Sequence, residues 1–453
     1  MASRLLLVNG IIADPSPVSP RVLYDHALMI EGGRIARIAP SVEFNDLEVD
    51  YLDLSGRLIL PGFINLHTHL YSTFARGLHT VQPAADFTGV LKNLWWKLDR
   101  ALSVDASYYS AVPVLLEAIR CGTTTIVDHH ASPHAVRGSL PALHRAMKDT
   151  GLRGCLCYEV SDRDGEKVAA EGIEENADFL ASCRGQQDSL IAGLFGLHAS
   201  FTLSDRTLER AAVAAKASNA GFHIHVAEAA ADQDGTLKMT GKRVVERLHH
   251  KGILGERTIA AHAVHVDDAE MDLLASTGTV VAHNPQSNMN NAVGIADVER
   301  LRARGVAVGL GTDAMTHDMR QELRAGLWAQ RLKQGSPSAG WAAMLAAQWE
   351  TNPMMASRLF GTPVGTMAEG SAADLVALEY DPATPLTHDS LHGHLVFGIA
   401  SATVDTTIVG GRVLMYRRKL ELELDEAEVM AKAREAASGV WGRVANEELR
   451  TKN

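Results

Sequence analysis

Cysteine is scarce in this chain: Cys121, Cys155, Cys157 and Cys183 are the four in 453 residues. The close pair Cys155/Cys157 lacks the C-x-x-C spacing of redox motifs and zinc ribbons, which excludes a disulfide scaffold and makes the cytoplasm the expected compartment. No apolar run reaches the length of a membrane span, and no Gly/Ser- or Pro-rich tract interrupts the chain. Positive charge is not in excess either. The formal net charge is -11 and is spread along the sequence, leaving no footprint for nucleic acid or anionic membrane. The H-E-x-x-H motif is missing, as is the histidine motif with a later P-C-x-x-C, which removes two common zinc hydrolase types. The N-terminal MASRLLLVNGII holds a short apolar run without a small-residue cleavage site, so a strand is expected there.

What the chain does contain is a rhythm. Short, β-branched apolar segments recur eight times: LILPGFINL, GTTTIVDHH, RGCLCYEVS, LIAGLFGLH, AGFHIHVAE, RTIAAHAVHV, GTVVAHNP and VAVGLGTDA. Between them lie stretches of helical period, such as DASYYSAVPVLLEAIRCG, with Asp or Ser at the start and Gly at the end. Strands alternating with helices give parallel strands and crossover connections, and eight such units close a TIM-like (β/α)8 barrel. Strand-like patterns at both ends of the chain predict a small β-sandwich built from residues 1–60 and 366–418. Residues 61–365 then form the α/β barrel, and residues 419–453 a helical extension on the surface.

The chemistry-bearing residues collect at strand ends. His67 and His69, two apart in PGFINLHTHL, share one face of an extended strand. His225 ends the fifth segment, and Asp313 follows the eighth. A lone buried histidine is usually a hydrogen-bonded core residue. Four ligand-type residues at the same end of three strands need a reason to gather, and one divalent metal, zinc first and iron second, is the economical one.

These motifs, with HVAE, AHAVHVD, HNPQSNM and GTDA in order, resemble the amidohydrolase superfamily, in its aminohydrolase and chlorohydrolase branch of guanine, adenosine-type and triazine-acting enzymes. NLWWKLDRAL, DHHASP and SNMNN are most similar to its SsnA-type aminohydrolases. The resemblance spans nearly the whole chain and implies the same ligand set: His67, His69, His225 and Asp313. The fourth segment carries no lysine to bridge a second ion, so a mononuclear centre is expected.

The resemblance implies a catalytic trio. Asp313 accepts a proton from a water whose pKa the metal lowers from about 15.7 to about 7. Glu228 transfers a proton to a ring nitrogen, and His262 orients the hydroxide. Glu228 lies three residues after His225, an odd spacing that requires the strand to curl before it. His265, at odd spacing from His262, is directed elsewhere. Arg76, His198 and Asn288 are the substrate-binding residues that the resemblance implies; a surface ion pair is the alternative for Arg76. SNMNNAVG and the THD that follows Asp313 depart from the family pattern, which makes His317 and Asp318 candidate specificity residues. One of His129 and His130 must face inward, His223 reads as barrel core, and Trp95/Trp96 reads as packing in a long connection. The expected reaction is hydrolytic release of ammonia from a small N-heteroaromatic substrate. A cyclic-amide or chloride hydrolysis at the same centre is the alternative. A non-catalytic binding protein would be expected to have lost a ligand or Glu228, and none is lost. A homo-oligomer is expected by analogy with such barrels.

Overall fold

The computed structural model describes residues 4–79, 83–184 and 190–450. Its centre is a ring of parallel strands: Phe63–Thr68, Thr123–Asp128, Arg153–Leu156, a broken fourth strand of Ile191–Gly193 and Phe195–Ala199, then Phe222–Val226, Ile259–His262, Val280–His283 and Val308–Leu310. They pair in chain order as two parallel sheets that meet at the broken fourth strand. The seam between last and first strands is bridged by the Thr312 and Asp313 amides, which both donate to the His67 carbonyl at 2.9 Å. Helices cover the outer face, so these strands are buried on both sides and read as nearly continuous apolar runs. The helices start and stop as their caps dictate. In Val104–Cys121 the Ser103 hydroxyl accepts the Ala106 amide, and Gly122 closes the last turn at a φ of 76°.

The segment LILPGFINL divides where a single strand is expected. Leu58–Pro61 pairs with Leu375–Glu379 and Ile11–Asp14, outside the barrel. The switch falls at Gly62, whose amide bonds the Asp374 carbonyl while that of Phe63 bonds Gly122 in the barrel. A Cβ on Gly62 would meet Thr124 Oγ1 at 2.2 Å, so only glycine fits this crossing. The sheet that Leu58–Pro61 joins has seven strands drawn from both chain ends, ordered Lys419–Leu420, Arg412–Tyr416, Thr403–Val409, Leu375–Glu379, Leu58–Pro61, Ile11–Asp14 and Arg21–Leu23. A four-stranded sheet of Arg34–Pro40, His26–Glu31, Arg4–Val8 and Tyr51–Asp53 packs on it through Leu7, Ile12, Leu28, Ile35, Leu375 and Ile408.

The C-terminal region is not helical from residue 419: Lys419–Leu420 is an edge strand, and the helix runs from Glu426 to Arg450. That helix buries Val440 and Val444 against Tyr71, Phe74 and Leu98 near the barrel mouth. None of the described helices is long and apolar enough to cross a membrane.

Candidate active site

The first and fifth barrel strands bring His67, His69 and His225 to one point, and the turn after the eighth adds Asp313. One ligand atom from each lies within 4.8 Å of all the others. Each imidazole spends its Nδ1 elsewhere. His69 Nδ1 lies 2.5 Å from the His129 carbonyl, His225 Nδ1 2.9 Å from the His198 carbonyl, and His67 Nδ1 2.8 Å from His223 Nε2. Carbonyls only accept, so these contacts fix His69 and His225 with hydrogen on Nδ1 and leave Nε2 turned inward. There, His67 Nε2 and His69 Nε2 lie 3.1 and 2.9 Å from Asp313 Oδ1, and His225 Nε2 lies 3.3 Å from His69 Nε2. Acceptor atoms this close repel unless a cation or proton sits among them. This donor set, oriented by neighbours that hold its outer nitrogens, fits a divalent metal.

His223 is more than the packed core histidine expected from sequence, because its contact with His67 orients a ring of the cluster. Burial, then His129, hold His225 far below the ordinary imidazole range, and burial also takes His67 down to about 3. Burial disfavours the Asp313 carboxylate, but the His67 and His69 rings beside it outweigh burial and hold this acid well below its usual range.

Glu228 reaches the same place through the curl that its spacing requires: Ala227 has a φ of +47°. The Ala227 amide donates to Asp232 at 2.7 Å, which anchors the turn. Asp313 and Ala314, at +48° and +67°, turn the eighth strand's end inward, and His262 and Ala263, at +75° and +51°, do so for the sixth. Left-handed backbone at non-glycine residues costs about 1–3 kcal/mol each and persists where surrounding structure imposes it. His262 Nδ1 meets Asn288 Oδ1 at 2.8 Å, so the carbonyl oxygen of Asn288 takes that N–H and leaves Nε2 facing Glu228 at 3.6 Å and Asp313 at 3.9 Å. Burial pushes the Glu228 carboxyl up to about 7, with His262 opposing and Asp313 adding to the shift. Ser287 donates to Asp313 Oδ2 at 2.5 Å, and Asn291 lies 3.4 Å from Glu228 Oε1.

Above these groups opens a cavity walled by Tyr71, Phe87, Leu91, Trp95, Trp96, Phe201 and Met315. Trp95 and Trp96, read from sequence as packing, therefore face the cavity, because the helical segment from Phe87 to Arg100 folds back over the barrel mouth. His198 faces it as expected. Three cavity-facing or supporting acids and bases were not legible: Glu159, Asp99 and Arg163. Asp99 pairs with Arg163, and the guanidinium stacks 5.4 Å from the Trp96 ring. Burial lifts Asp99 to about 6 against the pull of Arg163. A histidine–glutamate contact could not be read from EVS, since Glu159 lies past the end of its strand.

Some expected residues are elsewhere. Arg76 is a correction: its side chain is 55% exposed and pairs with Glu117 at 2.9 Å on the surface, because the chain turns outward after Ala75. Asn288 is fully buried beneath His262 and does not line the cavity. His317 is buried away from the cavity, and Asp318 caps the helix Met319–Gln334 while pairing with Arg320 at 2.8 Å, so neither is placed to choose a substrate. Of the strand-two pair, His129 faces inward, while His130 turns to Ser132 at 3.0 Å. His265 is held by the Val293 carbonyl at 2.8 Å, outside the cavity.

Residues 58–414 match the amidohydrolase family. The 5'-deoxyadenosine deaminase of Methanothermobacter thermautotrophicus is 33% identical over 421 residues, 92% of this chain and 95% of its own. The 5-methylthioadenosine/S-adenosylhomocysteine deaminase of Syntrophomonas wolfei subsp. wolfei is 31% identical over 447 residues, 97% of this chain and 100% of its own. Among solved structures, an adenosine deaminase from Xanthomonas campestris with bound zinc superimposes with a TM-score of 0.84 at 23% identity, covering 97% of this chain and 98% of that one. An E. coli guanine deaminase does so with a TM-score of 0.77 at 19% identity, covering 92% and 99%.

Proposed function

The chain belongs to the amidohydrolase family and is a metal-dependent hydrolytic deaminase, and from that premise we propose that it removes an exocyclic amine from a purine-sized N-heteroaromatic ring with zinc as its ion. One observation carries the reading: the converging, inward-turned nitrogens of His67, His69 and His225 beside Asp313, with the proton-handling groups Glu228 and His262 at their edge. Three imidazoles and a carboxylate suit zinc, and iron is the second candidate. The purine-sized substrate is supported by the names of the relatives and by aromatic walls able to stack on a flat ring.

A divalent cation bound there supplies Lewis acidity, which makes water acidic near neutrality. Asp313 accepts the water's proton on Oδ2, the oxygen that Ser287 steadies. Glu228, whose carboxyl is held up to about 7, can carry a proton at the working pH and deliver it to the ring nitrogen beside the attacked carbon. Asn291 steadies Glu228, and His262 keeps Nε2 aimed at the reacting centre because Asn288 holds its other nitrogen. Trp95, Trp96 and Phe87 line the cavity and offer aromatic faces to the ring.

The test is ammonia release by zinc-loaded protein from adenosine-type nucleosides, free aminopurines, pterins and aminopyrimidines. Ammonia from at least one ring is expected; a ring-opened acid instead would move the activity to the cyclic-amide hydrolases. Glu228→Gln should lower kcat about 10²- to 10⁴-fold with metal content unchanged, and full activity in that variant would remove Glu228 from proton transfer.

A further inference from the structure

Glu159 is a buried carboxylate on the cavity wall to which neither the cation cluster nor the proton transfer assigns a task. Its setting is fixed from below. His129 Nε2 lies 3.1 Å from both the Leu197 and His223 carbonyls, which can only accept, so that nitrogen carries a hydrogen. The other nitrogen, His129 Nδ1, faces Glu159 Oε2 at 3.2 Å, within ion-pair distance of that oxygen. Glu159 Oε1 turns instead toward His198 Nε2, 3.7 Å away, too far for a hydrogen bond. His198 Nδ1 is 2.6 Å from Thr202 Oγ1, whose hydroxyl donates to the Ala199 carbonyl at 3.0 Å, so Nδ1 carries the ring hydrogen and Nε2 is bare. Two buried acceptors therefore face each other across the cavity wall with no proton between them. A single N–H about 2.9 Å from each would satisfy both.

The position of this gap says which part of a ligand fills it. A Glu159 oxygen lies within 4.8 Å of ring nitrogens of His198 and His225 in one group, and of His69 and His129 in another. The gap thus sits beside the cation-binding residues, where the ring must lie. We infer that Glu159 and His198 together select the ring by accepting a ring N–H, so that the preferred substrates are oxo-substituted amino heterocycles bearing a lactam N–H. N9-glycosylated adenines, whose only ring-borne donor is the departing amine, present acceptors to an acceptor pair and are disfavoured. This specificity rests on the deaminase reading above and narrows its substrate class.

The experiment compares guanine, each of its mono-N-methyl derivatives, adenine, adenosine and 2'- and 3'-deoxyadenosine on the full-length, zinc-loaded protein, by calorimetric binding and by ammonia release. Guanine should bind more tightly than adenosine. Methylation of one ring nitrogen should weaken binding about 10- to 100-fold, the range for a hydrogen bond to a charged acceptor. In Glu159→Gln that penalty should shrink to within about threefold, with zinc content unchanged; in Glu159→Asp, which keeps the charge, it should persist in part. The assignment is overturned if no N-methyl group matters, if Glu159→Gln leaves the discrimination intact, or if the deoxynucleosides carry the effect, which would give Glu159 to a sugar. Should neither variant fold, the methyl series on the unaltered protein still decides. Absence of ammonia from every ring would count against the deaminase reading alone, since the binding ratios test Glu159 independently.

Discussion

Asp232 shows how one side chain carries a catalytic geometry it does not share in. Its carboxyl accepts the Ala227 amide at 2.7 Å and so pins the left-handed residue that swings Glu228 inward. Burial pushes its pKa from 3.8 up to about 7, against the hydrogen bond from Ala227. The folded protein therefore holds a proton there that the unfolded chain has already lost between about pH 4 and 7. Stability from this residue is full below that window and falls as pH rises through it. In urea unfolding of the zinc-loaded protein from pH 5 to pH 8, the unaltered chain should lose more stability than Asp232→Asn, which keeps an acceptor but does not titrate. The difference should be on the order of a few kcal/mol, and equal slopes would exclude this account. The odd spacing of His225 and Glu228 announces the curl. It says nothing of Asp232, whose role depends on which amide its helix places it under.

Among the elements, the segment from Phe87 to Arg100 and the C-terminal helix act as a pair. The first supplies Trp95, Trp96 and Asp99 to the cavity wall. The second braces its base: Trp441 Nε1 donates to the Phe74 carbonyl at 2.7 Å, and Arg443 Nε to the Ala101 carbonyl at 2.6 Å. Trp441→Phe keeps the packing and deletes one bond. It should cost about 0.5–1.5 kcal/mol, read as a lower thermal midpoint, and should raise KM more than it lowers kcat, because the cavity wall loosens while the proton-transfer groups stay put. A change in kcat alone would contradict that division. Helical periodicity makes the C-terminal helix legible. Its docking on the mouth is not, since an apolar stripe does not say which surface covers it.

For the whole molecule, the barrel and the sandwich are joined by a buried ion pair. Arg153, on the third barrel strand, meets Asp374 through Nε at 2.6 Å and Nη2 at 3.0 Å, and Asp374 Oδ1 also accepts the Gly410 amide at 2.7 Å. Asp374→Ala leaves a guanidinium buried without its partner and should cost about 3–5 kcal/mol. A chemical denaturation midpoint unchanged from the unaltered chain would show that the two parts are not coupled there. Neither partner stands out in the sequence, because the pair joins residues more than two hundred positions apart.

The sequence by itself determined the alternating strands and helices, the eight-strand ring and the residues that gather at its mouth. Those features depend on local period and on the rule that parallel strands deliver their C-terminal ends to one face. Only the tertiary structure decided which nitrogen of each histidine is free, that Arg76 points to solvent, and that Glu159 shares a gap with His198. A tautomer or an ion pair is set by the nearest partner in space, and that partner comes from a distant strand which no local pattern can name.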